Sequence, residues 1–432
     1  MIALLRDTIA GLTSGTAFRT SAAGFDLAFL LFLLATAAYL VYLAARKDVW
    51  WKIGFGASSV AALSMTMALV LRWVAAGWHH PPFTNLYESL VFFAWGIVVF
   101  HLFVEWKYKV RLAGAFIVPL ACVTMGLASL SPNKEIEPLV PALQSVWLHL
   151  HVAVASIGYA AFLTAFAFAV LFFLKDRVSL KWFLVTTSAF VIFAVLAASR
   201  GAVLPAAQFY FDLPETAGSG MHAGKVALPG VGPLLLLAML AALAALVQSI
   251  NDIVRKKDDV SSLAFTLFLV VFGVLTVGVF WLLVQTTRVP HAHLSNNPYA
   301  FAMLVIAWLM CLVVVIFHLR YEALLNALPE VKVIDRLTYN TIMIGFPLMT
   351  LVIITGAIWA NKAWGRYWRW DPKETASLVT WGIYLLYLHT RLTQGWQGRR
   401  SMIIAVIGFI SVVFTYLGVN LLLSGLHAYA TG

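Results

Sequence analysis

Apolar residues in this chain come in long runs separated by short polar connections. A run of about 18–24 residues with few charges is long enough for an α-helix to cross a bilayer. Twelve such spans are expected. The first six are Phe25 to Ala45, Ile53 to Trp73, Leu90 to Val104, Leu112 to Leu130, Val152 to Leu174 and Phe183 to Ala198. The last six are Leu228 to Ile250, Leu263 to Gln285, Tyr299 to Phe317, Ile342 to Trp359, Thr375 to Leu388 and Met402 to Leu423. The pattern predicts an all-α polytopic membrane protein.

Composition agrees. Of 432 residues, 62% are hydrophobic and 11% charged, and the mean hydropathy is +0.90. A soluble domain of this size cannot hide that much apolar surface. The net charge of +11 would suggest a nucleic-acid partner in a soluble protein, but its placement points elsewhere. Alternate connections carry three basic residues each: Arg46/Lys47/Lys52, Lys107/Lys109/Arg111, Lys175/Arg177/Lys181, Arg255/Lys256/Lys257, Arg320/Lys332/Arg336 and Arg391/Arg399/Arg400. The positive-inside rule makes that side cytoplasmic and puts both termini outside. No nucleic acid is needed to explain the charge.

Two cysteines, Cys122 and Cys311, lie inside apolar runs. Neither CxxC nor CxxCH occurs, so dithiol chemistry and covalently held heme are not expected. Arg6 and Asp7 interrupt the first apolar stretch, which therefore does not read as a signal peptide.

Chemistry concentrates in the connection after the tenth span, Trp359-Ala-Asn-Lys-Ala-Trp364-Gly-Arg366-Tyr367-Trp368-Arg369-Trp370-Asp371-Pro-Lys373-Glu374. Trp and Tyr favour the headgroup level, which accounts for one or two aromatics per helix end. It does not account for four Trp and a Tyr interleaved with Lys362, Arg366, Arg369 and Lys373. Flat aromatic surface with cations suits a planar apolar ligand with anionic edges, and heme with its two propionates fits. Asp371 and Glu374 precede the Thr375 span and read first as helix N-terminal caps.

Heme iron also needs axial ligands. Of the eleven histidines, His79, His80, His149, His151, His222, His291, His293 and His427 fall on the outer side of this topology. His101, His318 and His389 fall near cytoplasmic helix ends. Spacing alone does not choose among them. His291 and His293 form an HxH without an evident third metal ligand. His389, in Leu385-Leu-Tyr-Leu-His389-Thr-Arg391, lies in or just below the hydrocarbon, where an ionisable group is costly.

The tryptophan-rich stretch, together with Gly345-Phe-Pro-Leu before it, resembles the WWD signature of the CcsA (ResC) family of System II cytochrome c synthesis. Asn85-Leu-Tyr-Glu-Ser89, Trp147-Leu-His-Leu-His151-Val152, Tyr387-Leu-His389-Thr-Arg391, Gly418-Val-Asn-Leu-Leu and Gly425-Leu-His427-Ala-Tyr429 are similar to further family segments, in the family's order. They cover roughly residues 80–176 and 330–432. Asp371-Pro-Lys-Glu after the last Trp favours this family over the System I heme handlers.

The resemblance implies roles. His151 and His427 match the two outer heme-ligand histidines, and His389 the transmembrane histidine that holds heme in transit. Trp364, Trp368 and Trp370 would present the ring of a transiently bound heme b, with Arg366 or Arg369 at its propionates and Asp371 among the heme-binding residues. A CcsB (ResB)-type membrane protein would be the partner, and the CxxCH segment of apocytochrome c the acceptor. The location implied is the inner (cell) membrane, multi-pass, with the Trp loop on the outer, periplasmic side.

Departures accompany the match. Lys362 stands where Glu is expected, and Ala376 where another Trp is expected. Residues 178–330 read as four added spans without a familiar motif. The chain therefore divides into 1–176 with the first ligand motif, 177–330 as extra helices, and 331–432 with the Trp loop and C-terminal motif. A heme or planar-solute exporter lacking synthase activity is the alternative, and twelve spans suit it. However, no internal repeat or matched pair of Gly/Pro-broken helices supports it.

Overall fold

The computed structural model describes residues 2–77, 80–82, 85–129, 136, 145–198, 210–213, 224–227, 231–257, 259–288, 293–294 and 298–419. Twelve α-helices run in order: α1 (Ile2–Ala45), α2 (Asp48–Ala76), α3 (Leu86–Tyr108), α4 (Gly114–Ser129), α5 (Val146–Lys175), α6 (Leu180–Ala198), α7 (Val231–Val254), α8 (Ser262–Arg288), α9 (Pro298–Ala327), α10 (Val331–Trp364), α11 (Pro372–Thr393) and α12 (Arg399–Val413). Each overlaps one span expected from the apolar runs, although α1 and α10 begin well before Phe25 and Ile342 and α12 ends at Val413 rather than Leu423. This is an all-α polytopic membrane protein. Ten of the described helices are long and apolar enough to cross a bilayer, and α6 is a shorter apolar helix. The remaining helix, α11, carries Lys373, Glu374, His389 and Arg391 within its 22 residues.

Three short strands were not expected from the apolar pattern. β1 (Tyr210–Leu213) pairs antiparallel with β2 (Gly224–Ala227) and with β3 (His293–Leu294), in the order β2-β1-β3. They lie in connections between helices, where hydropathy carries no signal for pairing.

The chain forms two compact units. One contains α1–α5 and α10–α12; the other contains α6–α9 and the small sheet. In the second unit the core is aliphatic and aromatic, with Leu184, Val191, Ala238, Ala242, Ala245, Ala264, Phe268 and Cys311 all buried. Small alanines let these helices approach closely, which is the usual packing solution when lipid removes the hydrophobic drive between helices.

In the first unit, polar and ring contacts join particular helices. Glu105 accepts hydrogen bonds from Tyr39 (2.8 Å) and the Trp51 indole, and faces His101 Nε2 at 3.0 Å. Gly114 and Gly54 pack on the Tyr39 ring, where any Cβ would collide with it. Arg72 and Glu88 form a fully buried pair at 2.7 Å between α2 and α3. Phe162 of α5 and Tyr384 of α11 stack at 3.7 Å, with Gly345 of α10 packed on Phe162 and Gly408 of α12 on Tyr384. Those two rings and two glycines bind four helices at one level.

Candidate functional site

α5 and α10 run antiparallel, and their contact stripe follows helical periodicity. On α5 the stripe is His151, Gly158 and Phe162; on α10 it is Gly345, Leu348, Val352 and Gly356. Phe162 meets Gly345, Gly158 meets Leu348, and His151 meets Gly356. Spacings of seven and eleven residues return side chains to one helical face, so the sequence positions and the pairing agree.

His151 is held at the end of this stripe. Its Nδ1–H donates to the Val352 carbonyl at 2.8 Å. Its ring lies nearly parallel to Trp359, with centroids 6.4 Å apart. Trp359 is 5% exposed and meets Trp364 edge-on at 4.9 Å. A continuous series of rings therefore leads from the histidine into the tryptophan loop. Trp147, one turn before His151, has the Lys362 ammonium 6.0 Å from its ring. Trp359 opens the cluster that the sequence marks out, but nothing in the sequence places it beside a histidine.

The loop is built by caps. α10 ends at Trp364 because Gly365 takes a left-handed conformation (φ 72°) and returns its N–H to Asn361. α11 begins with a capping box: the Asp371 side chain accepts from the Lys373 N–H, and Glu374 reaches back to the Asp371 N–H. Pro372 sits at the first helical position, where its missing N–H costs nothing. This is the capping role that the acidic pair's place before the span suggested. Glu374 also accepts from the Arg369 N–H at 2.8 Å, and the Arg369 guanidinium donates to the Trp364 carbonyl at 2.9 Å. Trp370 adopts φ 59°, unusual for a bulky residue, and is 68% exposed. Trp368 and Trp370 meet edge-on at 5.8 Å. Arg366 is exposed and makes no ion pair among the described residues.

His151, Trp359, Trp364 and the loop with Trp368, Trp370 and Asp371 thus gather at one end of the α5–α10–α11 group. His389 does not join them. It lies eighteen residues after Asp371 on α11, about 27 Å along the axis, with its side chain on the exposed surface of the unit. Next to it Arg391 grips Asp335 of α10 with two hydrogen bonds, and Asp335 also accepts from the Gly398 N–H at 3.0 Å. His427 lies outside the described residues. α12 and the residues after it to 419 follow α5 toward the His151 end: Phe409 of α12 stacks on Phe166, and Tyr416, just past α12, meets Tyr159.

Among the other histidines, His80 is in the α2–α3 connection at the same end. Burial pushes its imidazole below its ordinary range, the Glu88 carboxylate opposes that shift, and Arg72 adds to it. Among the described residues no three His, Cys, Asp or Glu side chains converge on a metal geometry.

The donor chemistry fits heme. An imidazole whose Nδ1–H is spent on a backbone carbonyl carries its lone pair on Nε2, the arrangement usual for metal-ligating histidine. The rings beside it and the cations of the loop match an aromatic macrocycle with anionic substituents.

Residues 83–427 match the family described as cytochrome C assembly protein. The cytochrome c biogenesis protein CcsA of Gloeobacter violaceus is 33% identical over 410 residues, covering 93% of this chain and 94% of the relative. Those of Microcystis aeruginosa and Synechocystis are 34% and 32% identical, over 87% and 93% of this chain. This chain belongs to the CcsA family of cytochrome c assembly proteins. As a CcsA-family member it is a multi-pass membrane protein of cytochrome c biogenesis, and that family assignment was legible from the Trp loop and histidine motifs.

Proposed function

We propose that this protein presents heme b at the outer, periplasmic face of the inner membrane for covalent attachment to apocytochrome c. The single observation that carries the reading is the seating of His151 against Trp359 at the head of the tryptophan loop. In this reading heme is bound transiently and is the substrate. His151 and His427 ligate its iron from two sides, and Trp364, Trp368 and Trp370 face the ring. Arg366, exposed and without an ion pair among the described residues, meets a propionate. Arg369 and Asp371 hold the shape of the loop through their backbone contacts.

His389 belongs to a second station at the far end of α11. A histidine on a membrane-facing helix surface is costly unless another group covers it, which supports a CcsB (ResB)-type membrane partner there. Heme enters at that level and moves to the loop. Orientation follows from the basic connections, which by the positive-inside rule lie in the cytoplasm.

The chemical step adds each cysteine of the CxxCH segment across one heme vinyl group. A carbon–sulfur bond forms, the thiol hydrogen passes to the neighbouring vinyl carbon, and no net oxidation occurs. The acceptor's own histidine then replaces one protein ligand, which releases the product. The protein's contribution is placement of vinyls against thiols and exclusion of competing ligands. Asp371 and Glu374, the acidic side chains nearest this step, are engaged in the α11 cap.

The test is the visible spectrum of the detergent-purified protein, expressed with its partner, in wild-type and His427→Ala forms. The wild type is expected to show low-spin, six-coordinate heme, and the variant to lose that signal and regain it with added imidazole. A well-folded, heme-free wild type would overturn the reading in favour of a transport or scaffolding role.

A further inference from the structure

We infer that Gly356 is a positioning residue: its missing side chain makes the seat in which the His151 imidazole is aimed, with the Val352 carbonyl fixing the ring's tautomer. This rests on the reading that His151 ligates heme iron, and specifies how the chain prepares that ligand.

Gly356 sits in the interior of α10, not at a cap or turn, and no positive φ requires a glycine there. Glycine in a helix interior is unfavourable relative to alanine, so its presence calls for a local reason. A Cβ built at Gly356 would lie 2.9 Å from both Cε1 and Nδ1 of His151 and 3.8 Å from Nε2. The imidazole therefore occupies the volume that any other residue's side chain would fill. Its nearest atoms are the carbon and nitrogen beside the hydrogen bond, so an added methyl pushes where Nδ1–H meets the Val352 carbonyl.

Val352 is one turn before Gly356 on the same helix, so its carbonyl is the helical acceptor for the Gly356 N–H. That carbonyl is shared: it accepts from His151 at 2.8 Å and lies 3.3 Å from the Thr355 hydroxyl. A helix carbonyl is reachable from outside only where nothing projects over it, and the bare Gly356 backbone provides that opening. Trp359, one turn further on, bounds the seat, its ring centroid 6.4 Å from the imidazole and its plane tilted 25° from it. Three consecutive positions of one α10 stripe thus fix the ring: an acceptor, a gap and a wall. The consequence for the ligand is directional. With Nδ1 tied to the carbonyl, the lone pair is on Nε2 in advance, and less ordering is left for heme binding to impose.

Gly356→Ala is the first variant, purified with the partner protein and compared with wild type, His151→Ala and Gly382→Ala. Gly382 lies in α11 where an added Cβ meets nothing within 4 Å, so its variant reports on glycine replacement alone. Gly356→Ala is expected to reach the membrane at wild-type level yet bind heme about tenfold more weakly, the lower end of the usual effect of disturbing a group behind a metal ligand. Its low-spin spectrum should shift toward high spin and return with added imidazole, and its heme midpoint potential should move. Gly382→Ala should match wild type in all three readouts. An unchanged His151→Ala spectrum sinks iron ligation itself. A lost signal in His151→Ala beside a wild-type spectrum, affinity and potential in Gly356→Ala sinks the seat alone.

If Gly356→Ala fails to accumulate, His151→Gly decides through small-molecule rescue. Imidazole can donate to the Val352 carbonyl while ligating iron, whereas 1-methylimidazole cannot. Rescue at lower concentration by imidazole supports the seat; equal rescue by both overturns it.

Discussion

The two units of this protein are both built from apolar helices, yet among the described residues only one of them packs glycines against rings. In α6–α9 the apolar core is mainly alanine, leucine, valine and phenylalanine. The buried Asp252 pairs with Lys257 at the α7–α8 connection, and 22%, 33% and 50% of the α8, α7 and α9 spans are buried. In the other unit 78% of the α5 span is buried, while the α10 and α12 spans that pack on it are 33% buried. Its contacts there are individually specified: a stacked Phe162–Tyr384 pair between two glycines, an Arg391–Asp335 pair and His151 in its seat. The difference teaches where function is to be sought. Alanine–leucine packing tolerates volume-conserving exchange, whereas glycine-to-ring contacts and buried polar pairs fix the orientation of particular side chains. A unit built of the second kind can aim a ligand.

The comparison breaks most visibly at His151. His151→Ala is expected to reduce heme content and mature cytochrome c by about tenfold or more, as loss of a ligand exceeds loss of its supporting group. Heme spectra and cytochrome staining at matched membrane levels read this out. Full retention would remove the functional distinction between the units.

Next are the matched losses of a buried ring. Phe162 and Phe268 are both fully buried, one in each unit. Alanine at either is expected to cost about 3–5 kcal/mol of stability, followed as thermal unfolding in detergent. Only Phe162→Ala should also change the spectrum of the heme that remains. If Phe268→Ala changes it equally, α6–α9 has a share in the site.

Arg391→Ala leaves the Asp335 carboxylate buried without its partner. The expected cost is about 3 kcal/mol, and its proximity to His389 should make loss of heme uptake exceed loss of protein. Equal losses would reduce this end of α11 to a structural joint.

Asp371→Ala removes the α11 cap, at about 1 kcal/mol. Faster hydrogen exchange confined to residues 365–375 would show it, and Asp371→Asn should retain most of the protection.

The smallest effect concerns pH. Because His80 is held below its ordinary value of 6.5, the unfolded chain binds this proton more readily than the folded one. Stability is therefore full at pH above 6.5 and declines as pH falls through that value. Between pH 7.5 and 5.5 the unfolding midpoint of the wild type should fall further than that of His80→Gln, which has no proton to gain at this position.

Much of this is legible in the sequence alone. Runs such as Val152 to Leu174 located the helices, because bilayer thickness sets their length. The Trp359–Glu374 stretch marked the candidate site, because so dense an aromatic and cationic cluster exceeds what an interface needs. Asp371 and Glu374 announced a helix start, since capping depends on residues three apart. By contrast, the short strands at 210–213, 224–227 and 293–294 left no signature, since each is two to four residues and pairs across long intervals.

Sequence by itself therefore determined the class of protein, the number and place of its helices, the caps around the tryptophan loop, and the family. These depend on hydropathy, charge and neighbours within a few residues. Tertiary structure alone decided which residues meet: that Trp359 links His151 to the loop, that Gly356 and the Val352 carbonyl receive the imidazole, and that His389 faces outward at the other end. The physical reason is distance along the chain. His151 and Val352 are 201 residues apart, and no local rule of helix or loop can say which turn of α10 lies against which turn of α5.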